Sequence, residues 1–170
     1  TSYGYDSRDQ LVAVAAPGGP TTTYGYDAEG ARVSERSGGT TTRFVRDLLS
    51  PTGYDEVVAE VSSALQVWHA FGEGVLGSER DGVGSTALTD ARGSVTALTD
   101  DAGAVTDRFA YLAFGELRQR TGTTAQRLLH DGQRLDPASG LYDLRARAYD
   151  PATGVLTAVD PFAGVADDPQ

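Results

Sequence analysis

The tightest constraint on this chain is a short motif that returns on a fixed period. Tyr3-Gly4-Tyr5-Asp6 recurs 21 residues later as Tyr24-Gly25-Tyr26-Asp27, and Phe44-Val45-Arg46-Asp47 follows 20 residues after that. Phe109-Ala110-Tyr111 opens a further copy close to four periods beyond Tyr24, with Gly115 at the offset of Gly30. A shorter echo runs inside: Ala87-Leu88-Thr89-Asp90-Ala91-Arg92-Gly93 returns ten residues on as Ala97-Leu98-Thr99-Asp100-Asp101-Ala102-Gly103. Self-similarity at such a period marks a stack of one supersecondary unit. If ten residues make a strand and a turn, 21 make a hairpin.

The chemistry inside the repeat supports that unit. In Tyr-x-Tyr the two rings sit at i and i+2, on one face of a strand. Asp closes the strand and Gly follows three residues later, as in Asp27-Ala28-Glu29-Gly30, Asp90-Ala91-Arg92-Gly93 and Asp100-Asp101-Ala102-Gly103. Three-residue hairpin loops favour a type I turn followed by a left-handed residue, usually Gly. The Asp carboxylate accepts backbone N–H bonds at the turn start. A second turn family appears late, in Asp136-Pro137-Ala138-Ser139-Gly140, Asp150-Pro151-Ala152-Thr153-Gly154 and Asp160-Pro161-Phe162-Ala163-Gly164. There Pro presets φ and Gly takes the left-handed exit. This predicts four-residue loops around short strands at 141–148 and 155–159.

The expected class is therefore all-β and antiparallel, with a turn closing each short strand. One segment reads two ways. Tyr54, Val57, Val58, Val61, Leu65 and Trp68 fall at helical spacing. The alternative is two strands, 56–61 and 65–71, favoured because Val prefers strands and the 21-residue rhythm runs on through this region. A short helical turn is expected at 125–130, and a frayed acidic tail at 163–170.

Composition removes several chemistries. The chain has no Cys, which excludes disulfides, thiolate metal sites and a cysteine nucleophile. Its 14 basic residues are all arginine, against 24 acidic ones, for a net charge of −10. Such a balance argues against nucleic acid as a partner. No stretch approaches 18 apolar residues, so no membrane span is expected. The lack of Met is read as the mark of a processed product or a piece of a longer chain, and with no basic-then-apolar start no signal peptide is expected in this piece.

Individual residues mostly read as structural. Asp27, Asp90, Asp100, Asp136 and Asp150 are turn caps rather than catalytic or calcium-binding carboxylates, and no EF-hand loop exists. His69 and His130 stand far apart in the sequence, in no His-x-x-x-His pair, so a zinc site is not expected. A Ser-His-Asp triad is a spatial arrangement, but no G-x-S-x-G elbow announces one. Arg145 and Arg147 are expected on one strand face near Tyr142 and Tyr149, ion-paired with turn aspartates or stacked on Tyr rather than contacting cargo or carbohydrate. Trp68 reads as core or sheet-face packing rather than a sugar platform, and Gly72-Glu73-Gly74 as a turn. These residues assign no catalytic group, no metal and no cofactor.

With these motifs in hand, the chain resembles a known family. Its Tyr-x-Tyr-Asp units look like YD repeats, and the stretch 88–161 resembles the RHS repeat-associated core. The most specific match is Gly132-Gln133-Arg134-Leu135-Asp136, continuing through Ser139-Gly140-Leu141-Tyr142-Asp143-Leu144-Arg145-Ala146-Arg147-Ala148-Tyr149-Asp150-Pro151. The resemblance implies a β-sheet that spirals into a hollow shell, as in RHS proteins, toxin-complex C subunits and teneurin ectodomains. It divides the chain into YD-repeat hairpins at 1–85, the core at 86–162 and the tail at 163–170.

The resemblance also implies a role. Such a shell encapsulates a C-terminal polymorphic toxin for competition between bacterial cells, so the chain is expected to be secreted or at the cell surface. Its partners would be the rest of its own shell, the toxin cargo and delivery-system proteins. The leading expectation is a structural fragment that is not an enzyme. A second is an aspartyl autoprotease region acting only in the full-length chain, in which Asp160 matches the first Asp-Pro of the family's self-cleavage region. A third is a cell-surface carbohydrate-binding or adhesion module. An exposed last strand predicts self-association of the isolated piece.

Overall fold

A computed structural model describes residues 1–158. The chain makes one meander of twelve antiparallel strands in sequence order. These are β1 (Ser2–Tyr5), β2 (Leu11–Ala15), β3 (Thr21–Tyr26), β4 (Arg32–Ser37), β5 (Thr40–Asp47) and β6 (Glu56–Val61), then β7 (Gln66–Phe71), β8 (Val75–Arg80), β9 (Val83–Thr89), β10 (Val95–Thr99), β11 (Val105–Tyr111) and β12 (Leu117–Thr121). The remainder forms a second sheet of very short strands, β13 (Arg134–Leu135), β14 (Tyr142–Asp143), β15 (Ala148–Asp150) and β16 (Val155–Leu156). This strap lies against the inner face of the large sheet.

The expected turn chemistry is present atom for atom. Asp27 N–H bonds to Ala31 O at 3.0 Å, Ala31 N–H returns to Asp27 Oδ1 at 2.8 Å, and Gly30 takes φ 88°. Asp90 and Asp100 cap Ser94 and Ala104 in the same way. The loop after β11 has Leu112 in the Asp position and still closes, with Leu112 N–H to Glu116 O at 2.8 Å and Gly115 at φ 89°. The backbone geometry therefore sets the loop, and the carboxylate reinforces it. The second turn family also holds: Gly140 N–H reaches Asp136 O and Gly154 N–H reaches Asp150 O, both at 2.8 Å.

The ambiguous segment is two strands. β6 and β7 pair through Ala59 with Trp68 and Glu60 with Val67. Period 2 wins over the helical spacing because the chain alternates faces, with Val67 and His69 inward and Trp68 outward. Three expectations need correction. The stretch 141–148 is not one strand: β14 ends at Asp143, a tight turn closes with Leu144 N–H to Arg147 O at 2.9 Å, and Arg145 sits at φ 68°. The stretch 125–130 is not helical until its last residue, because the 3-10 turn is His130–Gly132. β16 covers only Val155–Leu156. The turn at Asp160 and the tail 163–170 lie outside the described residues.

The strap contributes to both apolar cores. Leu128, Leu129 and Tyr142 pack on Val75, Val95, Leu98 and Phe109 of the large sheet. Leu141 and Ala148 pack on Leu11, Val14 and Tyr24. Burying one such leucine contributes about 2 kcal/mol. The repeat adds a latch of its own. The second Tyr of the motif donates its hydroxyl to the backbone of the preceding strand: Tyr26 to Leu11 O at 2.7 Å and Tyr111 to Val95 O at 2.6 Å.

Gly122 is the pivot from sheet to strap. It has φ 83°, and a Cβ there would collide with Asp107 Oδ1 and lie 2.5 Å from Thr106 O. Asp107 is 1% exposed and holds the next turn through Thr124 N–H at 2.9 Å and Thr124 Oγ at 2.6 Å. Gly38 has φ 56° with open space around it. Gly38→Ala is expected to cost about 1 kcal/mol, the left-handed penalty alone. Gly122→Ala, which adds a clash with backbone, should cost more than about 2 kcal/mol. Urea unfolding of the two variants checks the difference.

Candidate functional site

The strap is fastened to the sheet by a buried seam of charge. Arg32 projects inward from β4, on the face that carries Tyr24. Its side chain is 4% exposed and its guanidinium stacks 4.2 Å over the Tyr24 ring. It faces two strap carboxylates, Asp136 at 3.3 Å and Asp143 at 3.6 Å. Arg134 of the strap also donates to Asp143 and lies 3.9 Å over Phe44 of β5. Burial by itself would push Arg32 towards losing its proton, but Asp143, Tyr26 and Asp136 outweigh it and hold the guanidinium above its usual range. Burial by itself would likewise raise Asp143, yet Arg32 and Arg134 keep it lowered.

A second group lies further along the face. Glu60 of β6 has no exposed side-chain surface and meets His69 Nε2 at 3.4 Å and Arg127 of the strap at 3.2 Å. Arg127 also donates to Glu35 of β4 at 2.8 Å. Burial raises the Glu60 pKa, but the hydrogen bond from His69 and the charges of Arg127 and Arg134 bring it down to about 2. A third fastening is Arg145, which donates to Glu56 at 2.7 Å and to Asp55 O at 2.9 Å while stacking 4.9 Å over Tyr54. Two tyrosines finish the closure, Tyr142 to Gly115 O at 3.0 Å and Tyr149 to Phe114 O at 2.9 Å. Burial pushes the Tyr142 hydroxyl up to about 12, so it remains a donor.

The residues singled out from sequence fall into place around this seam. Asp27, Asp90, Asp100 and Asp150 cap turns. Asp136 caps its own turn through Ala138 N–H at 2.9 Å and also enters the seam. Arg145 and Arg147 do not share a strand face, because they lie in the turn between β14 and β15. The ring beneath Arg145 is Tyr54, and its ion pair is with Glu56 rather than a turn aspartate. Trp68 is 47% exposed on the outer face, so it packs on the sheet and not in the core. Gly72-Glu73-Gly74 is a turn closed by Gly72 N–H to Gly74 O at 2.9 Å. Asp160 lies outside the described residues.

Two hydroxyl–imidazole–carboxylate groupings exist that sequence could not place. Ser94 Oγ is 3.4 Å from His130 Nδ1 and 3.3 Å from Asp131 Oδ1, and His130 Nε2 is 3.6 Å from Asp131. Asp131 thus meets both partners, and Ser94 is 1% exposed. Ser78 Oγ is 2.8 Å from His69 Nδ1, but the far side of His69 is committed to Glu60 within the seam. Among the described residues no cluster of three or more His, Asp or Glu is placed to hold a metal.

The missed members of the seam include Arg32, Glu35, Glu60 and Arg127. One signal was available: in Val57-Val58-Ala59-Glu60-Val61 the acid stands in an otherwise apolar strand. A buried, ionised Glu60 stabilises the fold at neutral pH. Its folded pKa lies below the usual 4.5. Its contribution is therefore complete above about pH 4.5 and is lost as pH falls through about 2. Glu60→Gln leaves Arg127 without its inner partner and should cost about 3–5 kcal/mol at neutral pH. The variant should also lose less stability than the wild type between pH 5 and 2, as read by urea midpoints across that range.

Comparison with known proteins agrees with this architecture. Residues 5–43 match the RHS Repeat family. The chain is 28% identical over 168 residues to a tRNA3(Ser)-specific nuclease WapA of Bacillus spizizenii, and 27% identical over 172 residues to the tRNA nuclease WapA of Bacillus subtilis (strain 168). Each match covers 96% of this chain but only 7% of the relative's length. Salivary gland surface protein 1 of Aedes aegypti is 33% identical over 92 residues, 52% of this chain and 3% of that protein. Among solved structures, a TcdB2-TccC3 crystal structure superposes with a TM-score of 0.73 at 18% identity, covering 98% of this chain and 9% of that one. The Photorhabdus luminescens Tc holotoxin pore superposes with a TM-score of 0.71 at 15% identity, covering 97% and 9%. Residues 5–43 thus carry an RHS repeat, and the chain as a whole has the antiparallel β fold seen in the TcdB2-TccC3 structures.

Proposed function

We propose that the chain is a non-enzymatic segment of a longer YD-repeat shell that encloses a C-terminal toxin and presents it outside the producing cell. The observation that carries this reading is the inward strap. It occupies the inner face of the sheet and pairs Arg127, Asp136, Asp143 and Arg145 with it, which supports the role of a wall. The chain spans 7% of the WapA relatives it matches, as expected of one stretch of a long wall. Those relatives are named as nucleases, which supports a toxic cargo carried elsewhere in such a chain. The acidic net charge of −10 fits a wall that does not itself hold nucleic acid. Among the described residues no helix is long and apolar enough to cross a membrane.

In the full-length parent, the segment following the shell should resist a protease that digests the same segment expressed alone. Opening the seam with Arg32→Met together with Asp143→Asn should raise its digestion rate at least about tenfold. Equal digestion with and without the shell would sink the enclosure. Hydrolysis of a substrate by the purified chain itself would sink its non-enzymatic character.

A further inference from the structure

One donor inside the seam has no acceptor. Arg32 Nε is shielded from solvent and makes no hydrogen bond among the described residues, with the Asp143 carboxylate 3.6 Å away. A buried N–H is costly to leave unpaired, and more so on a charged group. Arg32 also lines a cavity of about 40 Å³ between β4, β5, β6 and the strap. The charged groups in its wall are four arginines, Arg32, Arg46, Arg134 and Arg145, against three carboxylates, Asp55, Glu56 and Asp143. The wall thus carries one positive charge in excess, in a protein whose net charge is −10. Asp27 and Asp136 hold Arg46 and Arg32 at their Nη1 ends and are not among the lining groups.

The four arginines are engaged differently. Arg46 is held by Asp27 and Asp55, and Arg145 by Asp55 O, Gln133 Oε1 and Glu56. Arg32 and Arg134 share the single carboxylate of Asp143, and the rings of Tyr24 and Phe44 cover one face of each. A guanidinium stacked on a ring keeps all its N–H groups at its edge. These two edges therefore supply the donors of the cavity. The way in passes Arg46 and Arg145, whose side chains are 16% and 29% exposed.

From this we infer that the cavity is a binding site for one small monovalent inorganic anion of the chloride type, held by Arg32 and Arg134. The anion accepts from Arg32 Nε–H and offsets the excess charge of the wall, whereas a water would do only the first. A single negative charge matches the excess, and a divalent anion would exceed it beside three carboxylates. The ion would sit where strap and sheet meet, so its binding adds to the stability of the closed structure by mass action. The inference rests on the walls of this cavity and stands whether or not a toxin is enclosed.

Two probes test it, sodium chloride in solution and sodium bromide in crystals. Urea unfolding is followed at constant ionic strength while chloride replaces gluconate, an anion too large for the cavity. The folded-to-unfolded ratio should rise saturably, by about tenfold at about 100 mM chloride, which corresponds to a dissociation constant of about 10 mM. Gln133→Glu puts a fourth carboxylate in the wall while keeping an acceptor for Arg145 Nη1. It also removes the Gln133 Nε2 bond to Asp131 O, so the readout is the chloride response and not the basal stability. That response should fall below about twofold, as the excess positive charge is gone. Bromide should give an anomalous scattering peak between Arg32 and Arg134. Equal stability in the two salts, a rise that does not saturate, an undiminished response in Gln133→Glu, or no bromide peak at that position would each overturn the proposal.

Discussion

Arg32 sets the terms for the rest of the molecule. A guanidinium brought to 4% side-chain exposure loses its water, and that loss costs several kcal/mol unless carboxylates replace it. Asp136 and Asp143 do so from the strap, which lies far along the chain from β4. The strap depends on the sheet in turn. Its strands are two or three residues long, too short to persist by themselves. They exist because the inner face gives them apolar partners and opposite charge at fixed positions. Sheet and strap are thus one cooperative structure.

The order of causes runs from turns to seam. Left-handed glycines fix the hairpin loops, the loops fix register, and register decides which side chains face inward. A slip of one residue in β4 or β6 would turn Arg32 or Glu60 out to water and leave the strap charges unpaired. The tyrosine latches protect against such a slip. Each ties a strand to the backbone of its predecessor, and a backbone carbonyl is present whatever the sequence there. This makes the repeat tolerant of sequence change between motifs, in keeping with relatives near 28% identity over nearly the whole chain.

Much of the sheet was legible because its signals are local. Asp and Gly at turn spacing, Tyr-x-Tyr on one face and the 21-residue rhythm each involve neighbours close in sequence. The strap was less legible for the opposite reason. Its stretch 141–148 looks like a strand, and nothing local announces that Arg145 adopts a left-handed φ of 68°. That conformation is disfavoured for arginine and is held by contacts with Asp55 and Glu56, distant in the sequence. The pairing of Arg127 with Glu35 and Glu60 is hidden likewise, because a charge in a strand reads as solvent-facing until its partner is known. The second turn family did reveal Asp136, but only its role as a cap.

The central claim is that buried charge couples strap to sheet. It is tested most directly by a double-mutant cycle on Arg32→Met and Asp143→Asn, with unfolding free energies measured in urea at neutral pH. The account predicts a coupling energy of at least about 2 kcal/mol, because the buried attraction between the two groups is lost in each single variant but only once in the double. A coupling within about 0.5 kcal/mol of zero would contradict it, and would leave the apolar contacts of Leu128, Leu129 and Leu141 as what holds the strap in place.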